Sequence, residues 1–273
     1  MSSGAVRDIL AMRCLVFFVG NREQIRSILH DFSRRIDANM KSINRNVLKY
    51  IAIAAMLSDH IAALFMAEYP LIYFVMRLIG RLTCAIMCFF VAEGFHYTRS
   101  RYQYGLRLGI FAVISQFAYT FFENRTLFTY RLFTDWNVIF TFFIGFLVLL
   151  AYEKISNKPV KWITVGLLCA VSYFGDWMII APLWILCFYI FRDDKKKKFT
   201  VFGILAALEV ASCIPFMING GEIWQVGVFL VLPLLLLYNG EKGSGNPIHK
   251  WAFYLFYPLH LFVLGIIKWL LVN

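Results

Sequence analysis

An acid and a base lie side by side in the middle of a long apolar segment, as Asp59 and His60. An ionisable side chain at the centre of a membrane helix costs about 2.5–3.5 kcal/mol, so such residues usually face a cavity or a partner. A neutral histidine can act as a general base on an amine or a hydroxyl, and a neighbouring carboxylate can orient or polarise it. Adjacent residues point to different helix faces, however, so Asp59 could instead pair with a cation on another helix.

A basic side chain shares a helix face with His60. Lys49 precedes His60 by eleven residues, which corresponds to about three turns and about 16 Å along the axis. A cation at the rim and a base in the interior suit a long anionic ligand such as coenzyme A, with its phosphates at the rim and its thioester inside. The alternative is a lysine that extends to the interface and a histidine that only packs.

The next apolar segment places Arg77 and Arg81 on one face. Counted from Leu71, Arg81 lies about 15 Å deep, near the depth of His60. A guanidinium at this depth needs an anion, and Asp59 is the nearest candidate. A spare guanidinium could stabilise a thioester oxyanion or bind the carboxylate of an acceptor, and Arg77 is predicted to help bind the coenzyme A ligand. The competing interpretation is a structural Asp–Arg pair that locks two helices together.

Five further polar residues are candidates for binding or proton transfer. Glu93 and His96 lie at the predicted cytoplasmic end of the second segment, where they could line the access route of the ligand or simply sit at the interface. Tyr257 and His260 lie in the last segment, where they could bind the substrate or relay a proton, or where His260 could simply pack. Asn137 could join them, although a helix cap is the favoured interpretation.

No metal site is predicted. Cys84 and Cys88 share a helix face, but a metal would need more ligands at the same depth. Buried free cysteine behaves as a small apolar residue, and that is the preferred interpretation here. The sequence contains no nucleotide-binding glycine loop, CxxC pair or HExxH motif, so any chemistry must come from the intramembrane cluster.

Composition places these residues in a membrane. Of the 273 residues, 60% are hydrophobic and 16% are charged, against about 45–50% and about 25% in soluble domains. This excludes a cytosolic enzyme, a disordered chain and a secreted disulfide scaffold, and continuous apolar segments argue against a barrel. A net charge of +11 indicates basic cytoplasmic loops rather than nucleic-acid binding.

Nine apolar segments could span a bilayer, which takes about 20 residues each. Basic loops alternate with neutral or acidic ones, so the N-terminus is predicted to be cytoplasmic and the C-terminus outside. We therefore expect an all-α, polytopic helical bundle in a bacterial cytoplasmic membrane. The predicted spans are Leu48–Ala67, Leu71–Gly94, Gly105–Phe122, Asn137–Tyr152, Lys161–Phe174, Trp177–Phe191, Phe199–Met217, Ile223–Tyr238 and Trp251–Val272.

The first 39 residues differ from the rest. Ile9–Gly20 is apolar but short, is interrupted by Arg13 and lacks the small-residue cleavage site of a signal peptide. Asn21–Asn39 is polar. We interpret residues 1–39 as an extension or a misplaced start, and residues 40–273 as a single transmembrane domain.

Seven short pieces of sequence occur in a characteristic order across residues 47–268. They resemble the TraX family, which is linked to N-terminal acetylation of conjugative pilin. The resemblance implies a pilin-type peptide amine as acceptor, with a cell-envelope glycan as the close alternative. The pieces are Leu48–Ala52, Met56–Ile61, Arg77–Leu82, Glu93–Arg99, Asn137–Thr141, Asp176–Trp177 and Phe256–Leu261.

A wider resemblance concerns Lys49, the ten residues that follow it, and His60. This spacing is similar to the basic-x10-His motif of the acyltransferase-three family of membrane acyltransferases. The resemblance implies acetyl-coenzyme A as acyl donor, with His60 in the catalytic position and Lys49 in the basic one.

Three functions remain open at this point. A membrane acyltransferase accounts for a base and a guanidinium at equal depth behind a basic rim. A proton-coupled transporter would also use intramembrane Asp, His and Glu, but the sequence has no repeated halves. A noncatalytic pilus or envelope assembly factor would leave the intramembrane cluster unexplained.

Overall fold

The computed structural model describes residues 43–215 and 223–272. The extension predicted at residues 1–39 lies outside these ranges, as does the end of the predicted span Phe199–Met217. Eleven α-helices form the described part, with 3-10 helices at Ser172–Phe174 and Ile223–Leu230. The α-helices are α1 (Arg45–Phe65), α2 (Pro70–Gly80), α3 (Leu82–Tyr97), α4 (Arg101–Asn124), α5 (Arg131–Thr134), α6 (Val138–Lys154), α7 (Lys158–Val171), α8 (Ile180–Ile190), α9 (Lys195–Ser212), α10 (Val231–Leu236) and α11 (Pro247–Val272).

Four helical segments are long and apolar enough to cross a membrane: Arg45–Phe65, Pro70–Tyr97, Arg101–Asn124 and Trp251–Leu271. Two shorter apolar helices are Ile180–Ile190 and Trp224–Leu236. The expectation of an all-helical, multi-pass membrane protein is confirmed. Each predicted span coincides at least in part with helix, but the count of nine and the orientation of the N-terminus stay predictions.

Polar residues fix where several helices begin. The side chains of Asn44, Ser100, Asn157 and Asp194 each accept a hydrogen bond from a backbone N–H in the first turn of α1, α4, α7 and α9. Such a cap satisfies a donor that the helix itself leaves free, and it is typically worth about 1 kcal/mol.

The core is built around α3, whose buried residues are distributed around the whole helix. An all-round apolar helix belongs in the interior, and α3 indeed packs against α1, α6 and α8. The long α11 packs against α4 and α1. These contacts bring the polar residues of α1, the α2–α3 junction and α11 to one region.

The basic helix ends lie together on one face of the bundle. An ion pair between Arg101 and Glu153 joins α4 to α6, and Tyr189 of α8 also donates to Glu153. Arg45 pairs with Glu93 at 2.9 Å and joins α1 to α3. We call this the basic face, and the side that carries the other ends of these helices the opposite face.

Candidate functional site

Asp59 accepts hydrogen bonds from both arginines predicted for the site. Arg77 Nη1 lies 2.9 Å from Asp59 Oδ2, and Arg81 Nη2 lies 2.7 Å from Asp59 Oδ1. The three side chains are between 13% and 18% exposed. Two guanidinium groups therefore share the Asp59 carboxylate. No hydrogen bond joins Asp59 to His60 in the described residues.

His60 is oriented by backbone and by a second histidine. Its Nδ1 lies 2.8 Å from the carbonyl oxygen of Met56 and 3.3 Å from His260 Nε2. His260 Nδ1 lies 2.8 Å from the carbonyl oxygen of Phe256. Because a carbonyl only accepts, both Nδ1 atoms carry the hydrogen, and His60 Nε2 keeps its lone pair. His60 is thus held in the tautomer that a general base needs.

His60 and the ion cluster line a cavity of about 190 Å³, which we call the polar cavity. Glu123, at the end of α4, and Asp176, in the turn before α8, line it as well. These two elements end at the opposite face. The remaining lining residues are Met56, Ala63, Gly80, Thr83, Cys84, Tyr119, Phe122, Val138, Trp177 and Tyr257.

A second cavity, of about 290 Å³, reaches in from the basic face, and we call it the basic cavity. Its charged lining residues are Arg45, Lys49, Arg107 and Glu93, and the other walls are mostly apolar. Lys49 lies 4.8 Å from the ring centre of Phe253 and has no carboxylate within 4.0 Å among the described residues. Arg107 Nε is buried without a hydrogen-bond partner. These unneutralised cations suit an anionic ligand whose remainder is apolar.

The two cavities share a wall of four side chains: Met56, Thr83, Val138 and Tyr257. Tyr257 is only 5% exposed. Lys49 lines the basic cavity and His60 the polar cavity, and the two cavities meet at this wall. That the two residues serve one ligand path stays a prediction. His260 lines neither cavity, so it can act only through His60.

Besides Lys49 and His260, three further predicted residues lie outside the polar cavity. Glu93 lines the basic cavity, but its carboxylate is occupied by Arg45 and by the Tyr238 hydroxyl, which donates at 2.8 Å. His96 is exposed and lines a third cavity, beside Glu93. Asn137 is fully buried and caps α6 by accepting from the N–H groups of Ile139 and Phe140. The capping interpretation of Asn137 is confirmed.

Sequence reasoning missed Arg107, Glu123 and Gln225 as site residues, and it placed Asp176 only in a motif. Gln225 accepts from Arg81 at 3.4 Å and donates to Glu209 at 3.1 Å, so it extends the ion cluster. Arg107 carried a detectable signal, because it is a charge inside the predicted span Gly105–Phe122. Glu123 and Asp176 stood in predicted loops, where a carboxylate is ordinary.

Apolar helices, a partly buried ion cluster and two adjoining cavities define a multi-pass membrane protein with polar groups at membrane depth. The family model of the TraX protein matches residues 44–268. The chain belongs to the TraX family, and the family prediction from the sequence pieces is confirmed.

One curated relative is the probable fimbrial assembly protein FimC, serogroup H1, of Dichelobacter nodosus. This chain is 32% identical to it over 231 residues, which cover 80% of this chain and 92% of that relative. No solved structure matches the chain.

Proposed function

We propose that the protein is a membrane acyltransferase that moves an acetyl group from cytoplasmic acetyl-coenzyme A to an amine or hydroxyl. The acceptor is a pilin-type peptide or a cell-envelope glycan, and the protein lies in the bacterial cytoplasmic membrane with its basic face inward. The observation that carries the proposal is the meeting of the basic and polar cavities at a wall beside His60.

In this proposal the basic cavity binds the acyl donor. Lys49 and Arg107 offer cations that no carboxylate in the described residues neutralises, and phosphate groups bind such cations by charge-assisted hydrogen bonds. The apolar inner walls suit the uncharged arm that carries the acetyl group. The residues present therefore fit coenzyme A.

The acetyl group is transferred in the polar cavity. His60 Nε2, held as a free base by the Met56 carbonyl, removes the proton from the attacking amine or hydroxyl. The new bond to the acyl carbon forms, the thioester C–S bond breaks, and His60 returns the proton to the departing thiolate of coenzyme A. The Arg77 and Arg81 guanidinium groups, held in place by Asp59, stabilise the oxyanion that develops on the acyl carbonyl. His260 keeps His60 in position and in its tautomer. The acceptor reaches this cavity from the opposite face, where Glu123 and Asp176 line it.

A noncatalytic assembly role is the second candidate, and the name of the Dichelobacter nodosus relative favours it. Under that hypothesis the Asp59–arginine cluster only locks α1 to the α2–α3 segment. The two candidates differ in whether His60 is needed for a covalent product.

The deciding experiment uses purified protein in lipid nanodiscs with radiolabelled acetyl-coenzyme A and a pool of peptide amines and glycans. We expect labelled acceptor from the wild type, and a loss of about 100-fold or more in His60→Ala, the usual contribution of a general base. His249→Ala is the matched control, because His249 pairs with Tyr50 at 2.8 Å and lines none of the three cavities described.

The outcome separates the candidates. Labelled acceptor that depends on His60 but not on His249 supports the enzyme and names its substrate. A correctly folded wild type that yields no labelled acceptor and releases no coenzyme A would favour the assembly role.

A further inference from the structure

A third cavity, of about 270 Å³, lies at the basic face beside the basic cavity. Four basic side chains line it, and they come from three separate elements: α3, the α8–α9 turn and α9. They are His96, Arg192, Lys195 and Lys198. We call this third cavity the interfacial cavity. The sequence predicted His96 on the access route of the ligand, but the donor path proposed above runs through the basic cavity and does not use this one.

The carboxylates near the interfacial cavity balance only part of its positive charge. Glu93 lines the interfacial cavity but is occupied by Arg45 and Tyr238. Asp193 pairs with Arg192 at 3.4 Å and is 88% exposed, so that pair is weak. Lys195 and Lys198 have no carboxylate within 4.0 Å in the described part of the chain. A ligand with at least two negative charges would balance the excess.

Lys198 is the most enclosed of these cations. Its Nζ lies 5.5 Å from the ring centre of Phe199 and 5.9 Å from that of Phe89, and it donates to the Arg192 carbonyl at 3.4 Å. Burial, reinforced by the charge of Lys195, lowers the pKa of Lys198. A cation held in this way gains more from a bound anion than an ordinary surface lysine does.

Aromatic side chains form much of the remaining wall. Phe188, Tyr189 and Tyr238 line the interfacial cavity together with Phe89 and Phe199. Aromatic walls beside clustered cations suit a phosphate that is attached to an apolar group, either the base of a nucleotide or the acyl region of a lipid.

We infer that the interfacial cavity binds a phosphate-bearing ligand at the basic face. The phosphate contacts Lys195, Lys198 and Arg192, and the attached apolar group lies against the aromatic wall. This site is separate from the Lys49 path, because Glu93 and its two partners stand between the two cavities.

Two binding measurements on the full chain distinguish the possible sources of the phosphate. Calorimetric titration with ADP in phosphatidylcholine nanodiscs detects a soluble nucleotide. Native mass spectrometry of protein extracted from phosphatidylcholine with phosphatidylglycerol detects retained anionic lipid. Both use the wild type, the double variant Lys195→Gln/Lys198→Gln, and the control Lys154→Gln/Lys158→Gln, which removes equal charge from the same face outside the cavity.

We expect one ligand to bind the wild type and the control equally, and the Lys195/Lys198 variant about tenfold or more weakly. Loss of ADP binding assigns a nucleotide phosphate, and loss of retained phosphatidylglycerol assigns a lipid headgroup. Equal binding by both double variants, or no binding of either probe, would overturn the inference. Neither readout involves acetyl transfer, so the result is independent of the proposed function.

Discussion

At the scale of single residues, the Asp59 carboxylate holds two arginines that are mostly out of solvent. Removing one partner of such a group leaves uncompensated charge, which typically costs about 3–5 kcal/mol. We therefore expect Asp59→Asn to lower the free energy of unfolding by about that amount, measured by denaturant titration in mild detergent.

A surface ion pair provides the control. Asp135 pairs with Arg131 at 3.8 Å, and both side chains are about half exposed. Asp135→Asn should change stability by no more than about 0.5 kcal/mol. If Asp59→Asn were as stable as Asp135→Asn, the ion cluster of Asp59 and the two arginines would not stabilise the fold as its geometry implies.

Arg107 is the residue that the structure adds to the proposed donor site. Arg107→Gln should weaken acetyl-coenzyme A binding by about tenfold or more, because one charge-assisted hydrogen bond is worth about 1.5–3 kcal/mol. Titration calorimetry measures this directly, without turnover. Arg99→Gln, at an exposed position outside the three cavities, should bind as the wild type does. Equal weakening in both variants would point to a general charge effect.

The residue types, and the depths estimated for them along the predicted helices, predicted part of this site. The depth estimate placed Arg81 near His60, and the pairing of Asp59 with an arginine was one of the stated alternatives. That Arg77 joins the same carboxylate follows from the i, i+4 spacing only once α2 is known to face α1. Glu123 and Asp176 could not be assigned, since nothing local distinguishes a carboxylate that lines a cavity from one in solvent.

At the scale of helices, Gly80 allows α2 to approach α1 closely. A side chain at this position would overlap the Asp59 side chain, so Gly80→Ala must push apart the two helices that the ion cluster joins. We expect a loss of about 1–3 kcal/mol in stability, the usual cost of overpacking, together with weaker acetyl transfer.

Gly203 in α9 is the matched control for Gly80, because an added methyl group there meets no atom within 4 Å. Gly203→Ala should be neutral or should stabilise the protein by up to about 1 kcal/mol, since alanine is the better helix former. Thermal unfolding of both variants measures the difference. A tolerated Gly80→Ala would contradict the tight packing between α1 and α2.

The contact between α11 and α1 could not be predicted from the sequence. His60 and His260 are 200 residues apart along the chain, and no local pattern specifies which helices become neighbours. The hydrophobic periods predicted that both segments are helices; packing alone brought the two histidines together. The division into α2 and α3 at Arg81 could not be predicted either, because the sequence there has the pattern of one apolar span.

At the scale of the whole molecule, the charge pattern predicts the orientation. Reporter fusions test it, with alkaline phosphatase active only outside the cytoplasm. Fusions after residues 100, 157 and 194 should be inactive, because these positions follow or adjoin basic helix ends. Fusions after residues 68 and 135 should be active. Active enzyme after residue 194 would contradict the predicted topology.

Composition was sufficient for the fold class, because nothing but a membrane can accommodate so many continuous apolar segments. The grouping of basic helix ends on one face also agrees with the alternating loop charges. The cavities were not predictable, since a cavity is the space that several packed helices leave between them.

The central claim is that donor and acceptor reach His60 from opposite faces. Proteoliposomes test it with radiolabelled acetyl-coenzyme A sealed in the lumen and the acceptor outside, compared with both reagents outside. We predict labelled acceptor only in the first arrangement, from those molecules inserted with their basic face toward the lumen, and none with His60→Ala. Label transferred when donor and acceptor share one side, and absent when the membrane separates them, would contradict the account.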